Sequence, residues 1–151
     1  MRCKVNLWLP TVAVLALVVS GGCPEAAQLI PGFDTVRVEL INDTNLPVDA
    51  NIRYDDDSGF WASLVPADSL EAGLLEPGET ASFRFDCDEL GLVYSAEAEQ
   101  VLSFYDVYVA DATDILEREE DYDCGDVIRF RFVGDTYDFG VIVSVNGRIV
   151  G

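Results

Sequence analysis

The sequence predicts an all-β chain: an antiparallel β-sandwich of about six to eight strands, preceded by a short N-terminal signal segment. Three observations carry that prediction. Apolar and polar side chains alternate in segment after segment, which is the period of half-buried strands. Turn residues separate those segments at short intervals. No helical pattern exceeds three turns. The 151 residues suffice for one domain with a real core and not for two. Half of them are hydrophobic and 11% aromatic, which excludes a disordered chain despite a net charge of −19.

Residues 1–22 read as a targeting signal. Arg2 and Lys4 form a positive start, and the apolar run Leu7 to Val19 spans thirteen positions. That is short of the roughly 20 residues that cross a bilayer. Ser20-Gly21-Gly22-Cys23 follows. Small residues ending in a cysteine here resemble the lipobox of bacterial lipoprotein signal peptides, although Ser20 stands where that family usually has leucine. The resemblance implies cleavage before Cys23, acylation of Cys23, and a place in the bacterial cell envelope. Pro24 rather than aspartate after the cysteine favours the outer membrane over the inner, by analogy with enteric sorting. The alternatives are an ordinary secretory signal cut near Gly22 and an uncleaved anchor. Removing residues 1–22 takes away Arg2 and Lys4 and no acidic residue. Seven arginines then stand against 28 acidic residues, a net of −21. Such a charge argues against a nucleic-acid partner. Residues 23–33 are the expected lipidated tether, and 34–151 the sandwich domain.

Along that domain, Val36, Val38 and Leu40 alternate with Arg37 and Glu39, and Asn42 to Pro47 is turn chemistry. Val48, Ala50, Ile52 and Tyr54 then alternate with Asp49, Asn51 and Arg53, so the two strands are expected to form a first hairpin. Residues 55–79 read as irregular, with apolar positions that cover a sheet edge, and end in Leu75-Glu76-Pro77-Gly78-Glu79. Ala81, Phe83, Phe85 and Cys87 form the inward face of the clearest strand. Residues 91–94 read as a short strand and 95–102 as a helical turn capped by Ser95. Tyr105, Val107 and Val109 share one side of the next strand, with Tyr108 opposite. After an acidic connection, Ile128, Phe130 and Phe132 alternate with Arg129 and Arg131. Tyr137, Phe139, Val141, Val143 and Val145 form the last long face, before the tight turn Asn146-Gly147. The alternating strands, the Leu-x-Pro-Gly-Glu turn before an aromatic strand, and the two cysteines resemble immunoglobulin-like sandwich domains of bacterial surface lipoproteins. That resemblance implies fold and location but no activity. Neither tryptophan lies between Cys87 and Cys124, unlike the antibody pattern.

Cys87 and Cys124 are the two cysteines left in an exported domain, so a disulfide is expected, closing a 38-residue loop. A zinc site is the alternative, but the chain has no histidine to complete it. A catalytic thiol is disfavoured by the neighbouring aspartates, which suppress the thiolate. The absence of histidine also removes the usual general base at neutral pH.

Calcium is the one cofactor the residues suggest. Asp86, Asp88, Asp121, Asp123 and Asp126 would be drawn together by the disulfide, and a divalent cation would relieve their repulsion. Asp55, Asp57 and Gly59 start like an EF-hand loop, but Phe60 and Pro66 occupy its sixth and twelfth positions. No spacing singles out a carboxylate pair for hydrolysis. Trp61 with Phe60, and Tyr105 with Tyr108, could stack on a sugar, or simply cover the core. Arg37, Arg53, Arg84, Arg129 and Arg131 fall on polar strand faces, where cross-strand pairs with acidic neighbours are expected. The functional expectation is a lipid-anchored, non-enzymatic envelope domain with a structural or protein-interaction role. The alternatives are a calcium-dependent module for a glycan or an envelope protein, and a carboxylate-based hydrolase.

Overall fold

The computed structural model describes residues 34–56, 68–103, 106–135 and 137–150, all within one compact unit, Gly32–Gly151. The expected signal segment, Cys23 and the tether lie outside the described residues, as do Asp57, Gly59, Phe60, Trp61 and Tyr105. Among the described residues the chain forms thirteen strands and no helix, so the all-β, antiparallel-dominated sandwich holds.

An interior strand of the first sheet is β1 (Thr35–Asn42). Its alternation buries Val36, Val38 and Leu40 completely, while Arg37 and Glu39 face outward. Two other strands of the first sheet, β6 (Thr80–Asp86) and β11 (Val127–Val133), flank it on either side. The β6 pairing is antiparallel and the β11 pairing is parallel. Ile128, Phe130 and Phe132 of β11 are fully buried beside β1. Truncating either phenylalanine to alanine would cost about 3–5 kcal/mol. The sheet ends with β12 (Gly140–Val145) and β13 (Arg148–Val150), joined by Asn146 and Gly147. Both turn residues have positive φ, 50° and 82°, the requirement of the two-residue hairpin that the sequence predicts here.

The opposing layer consists of two four-stranded sheets. One contains β3 (Ile52–Asp55), β4 (Asp68–Leu70), β7 (Leu92–Ser95) and β10 (Leu116–Glu117), in the order β10-β7-β3-β4. The other contains β2 (Val48–Asp49), β5 (Leu74–Leu75), β8 (Glu99–Ser103) and β9 (Asp106–Val109), in the order β9-β8-β2-β5. The two orders correspond strand for strand. Each strand of one sheet continues along the chain into its counterpart, through breaks such as Ala50-Asn51. Asn51 adopts a φ of 43° there and its carbonyl accepts from Ala96 N. Ser95 Oγ donates to Ala50 O, and Ser95 N donates to Thr113 Oγ1. A line of breaks thus crosses the layer, and it divides what would be four longer strands into eight short ones. This is why thirteen strands appear where six to eight were expected.

The two layers share one core, in which Val36, Leu40 and Phe130 pack with Val48, Ile52, Val93 and Leu116. Tyr54 of β3 and Phe85 of β6 meet in that core with ring centroids 4.8 Å apart. The inward set of β6, Ala81, Phe83, Phe85 and Cys87, is as expected but only half-buried, because β6 is a sheet edge.

Three local expectations are corrected. β1 and β2 form no hairpin, because they lie in different sheets. Residues between them carry the chain from one layer to the other, held by Asn42 Nδ2, which donates to Leu46 O and Leu75 O. The helical turn over 95–102 is instead the end of β7 and the start of β8. Pairing of Glu99 and Gln100 with both β2 and β9 outweighs the local helix preference. Tyr137 is 93% exposed and does not extend the β12 face, which starts at Gly140.

Candidate functional site

The disulfide forms as expected. Cys87 and Cys124 are bonded with Cα atoms 5.7 Å apart. Cys87 follows β6, and its N–H donates to Asp34 O. Cys124 lies in the turn before β11, where Gly125 N donates to Thr35 O and Arg37 N to Asp126 O. The bridge therefore ties the ends of β6, β1 and β11 at one corner.

The acidic side chains around that corner divide between surface hollows. Asp121, Asp123 and Asp126 line a surface hollow of 400 Å³ with Glu119 and Arg148. Asp88 lines a different hollow, of 590 Å³, with Asp55, Asp56, Asp68, Glu89 and Arg84. Asp86 lines neither; its N–H donates to Glu89 Oε2. Two of the carboxylates serve turns. Asp121 Oδ2 accepts from Glu117 N at 3.0 Å. Asp126 accepts Asp123 N on Oδ2 at 2.8 Å and Asn146 Nδ2 on Oδ1 at 2.6 Å. Among the described residues no three His, Cys, Asp or Glu side chains are disposed to hold a metal ion.

The arginines act as sheet support where acidic or polar partners lie beside them. Arg129 Nε donates to Glu39 Oε2 at 2.6 Å, and Arg131 Nε to Asp43 Oδ2 at 2.9 Å. Arg37 pairs with Glu39 along the same strand, and Arg53 donates to Ser69 Oγ. Arg84 stands opposite Arg37 in register, a like-charge pairing. The five acidic residues that share its hollow supply the compensating field.

Two polar side chains of the core carry no signal in the sequence. Tyr122 is 3% exposed, and its hydroxyl donates to Leu90 O at 3.0 Å. Burial pushes this phenol well above the ordinary tyrosine range; Asp121 and Glu117 add to that, and Arg118 opposes it. Gln100 is fully buried, yet its Nε2 and Oε1 have no hydrogen-bond partner.

Among the described residues, besides Leu74 of β5 and Tyr137, six large apolar side chains stay exposed. Leu102, Val107, Tyr108, Val109, Ile115 and Ile149 are all at least 36% exposed. They belong to β8, β9, the segment before β10, and β13. A groove of 490 Å³ opens between that segment and the β12–β13 hairpin, with Leu116, Phe139, Val143 and Ile149 as apolar walls and Asp111 and Asp114 at its rim. Tyr108 does lie opposite Val107 and Val109, as the alternation implies. It is the core-side residue, because it stands in register with the buried Gln100.

No family model matches the chain, and no curated protein matches it. Among solved structures it is similar to a chain named "Trapped Toxin", with a TM-score of 0.51 and 9% identity over 73% of this chain. The match spans 23% of that chain, so it is a likeness of fold to one part of a larger molecule.

Proposed function

We propose that the chain is a lipid-anchored domain of the bacterial cell envelope, on the outer membrane, with a structural or protein-interaction role and no catalysis. The observation that carries this reading is Ser20-Gly21-Gly22-Cys23 behind a thirteen-residue apolar run. Cleavage before Cys23, with acylation of its thiol and its new amino group, would leave the sandwich tethered by residues 24–33. Multiple acyl chains exceed the two signals that stable anchoring takes. The Cys87–Cys124 disulfide fits the oxidising compartment to which such a signal leads. Exposed valines on β9 and the apolar groove beside the β12–β13 hairpin fit an interaction role better than a solvated spacer. The immunoglobulin-like family is part of the same reading.

Mass spectrometry of the mature protein from bacterial membranes tests the anchor. Acyl mass on Cys23 as the first residue is expected, and Cys23→Ala should leave the precursor uncut or release the protein. An unmodified mature chain starting elsewhere would refute the lipoprotein reading. A thermal melt in calcium and in sodium at matched ionic strength separates the non-enzymatic role from a calcium-dependent module. Equal effects are expected, because general screening acts on a net charge of −21.

A further inference from the structure

We propose that the free edge of β9 is a docking edge for an extended, lysine- or arginine-bearing segment of a partner protein, which adds to the β9-β8-β2-β5 sheet as a further strand. This deepens the interaction role proposed above and rests on it, but not on the lipid.

Among the described residues β9 is the last strand of its sheet, and its four residues are all exposed. The direction of its backbone groups follows from its neighbours. Val101 stands opposite Val107, yet the Val101 N–H is directed away from β9, to Pro47 O at 2.8 Å. Ala110 N donates to Ala98 O, so Ala110 and, two residues earlier, Tyr108 face β8. Strand backbone groups alternate sides, so the N–H and C=O of Val107 and Val109 point outward. They form a short row of donors and acceptors at the spacing of a ladder. The side chains beside that row, Val107 and Val109, are 45% and 52% exposed and supply apolar contact on the outer face. The edge leads along the chain into the apolar groove bounded by Asp111 and Asp114.

Charge selects the occupant. From residue 99 to residue 115 the chain has four acidic residues, Glu99, Asp106, Asp111 and Asp114, and no basic one. A second copy would bring the same carboxylates against themselves, on top of the repulsion of two strongly acidic domains. A segment that alternates apolar and basic residues meets both the valines and the carboxylates. Main-chain bonds to the edge would give affinity, and the alternate side chains specificity.

The test uses the full chain in detergent micelles and a capped seven-residue peptide alternating lysine and valine. Binding is expected, with hydrogen exchange at the Val107 and Val109 amides slowed at least tenfold at saturation. Val107→Pro removes an outward N–H and no bond to β8, so it should weaken binding at least tenfold with the fold retained. Val109→Lys leaves the backbone intact and should weaken it similarly, by repelling the peptide's lysines. A lysine–glycine peptide of equal charge, and a glutamate–valine peptide, should bind at least tenfold more weakly. Any of four results overturns the proposal: equal binding of the lysine–glycine peptide, equal binding of the glutamate–valine peptide, unchanged amide exchange, or both variants binding like wild type. A dimer in sedimentation that Val107→Pro dissolves overturns it in favour of a second copy. Acyl mass on Cys23 is read separately, so failure of the edge and failure of the anchor are distinguishable.

Discussion

Glu39 and Arg129 stand directly opposite each other in the parallel pair of β1 and β11, with Arg129 Nε 2.6 Å from Glu39 Oε2. Glu39 also accepts from Arg37, so one carboxylate with a 16% exposed side chain serves two guanidinium groups. Glu39→Gln should lower stability by about 0.5–1 kcal/mol, near the upper range for cross-strand charge pairs. A double-mutant cycle with Arg129→Gln in urea checks this. Additive losses would mean that the contact contributes nothing.

Tyr122 predicts an alkaline weakness. Its folded pKa is raised, so its contribution is fully present below the unfolded value of about 10 and is lost as pH rises through the folded value. Between those limits stability should fall by about 1.4 kcal/mol per pH unit on account of this one group. Tyr122→Phe should remove that component of the slope. It should also cost about 1 kcal/mol at pH 8, because Leu90 O loses its donor. Denaturant midpoints measured from pH 8 to pH 12 compare the two; parallel curves would contradict the assignment.

Gln100 points the other way. Burying an amide without partners is unfavourable, so Gln100→Met, which keeps length and flexibility, should stabilise the domain by about 1–3 kcal/mol. A lower melting temperature for this variant would show that the amide is satisfied in solution.

Gly134 has a φ of +93°, and a Cβ there would lie 1.9 Å from Asp138 O. The clash is with backbone, which no rotamer change relieves. Gly134→Ala should therefore cost at least about 2 kcal/mol, measured by chemical denaturation. Gly78→Ala has a positive φ but open space, and should cost less.

The disulfide closes a long loop, and replacing both Cys87 and Cys124 by serine should cost about 2–4 kcal/mol. Unfolding of the oxidised protein against the double variant measures it. The single variants should lose as much as the double, since either one opens the loop.

The inward faces of β1 and β11 were legible in the sequence because both lie in the middle of a sheet, where alternation and burial coincide. In β9 they do not coincide. Val107 and Val109 repeat with the same period but fall on the outer face, because the register with β8 turns Tyr108 toward the buried Gln100. Asn42 to Pro47 reads as a turn because side chain-to-backbone bonds suit a turn and a layer crossing alike. What separates the two is the bond from Asn42 to Leu75 O, 33 residues away, which no local pattern contains. The disulfide was legible from cysteine count and register. The distribution of the aspartates around it was not, because a bond between two cysteines does not fix the direction of side chains in the flanking turns.

The parallel pairing of β1 with β11 also sets the order of events during folding. Glu39 and Arg129 are 90 residues apart, so this ladder of the first sheet cannot close until most of the domain is available. As the chain reaches the compartment where it folds, β1 arrives 90 residues ahead of that partner. The resulting high contact order implies slow folding, through loop closure that comes before any reward in contacts. Val36, Val38 and Leu40 stay without their β11 neighbours throughout that interval, which marks β1 as the segment that a holding chaperone would shield.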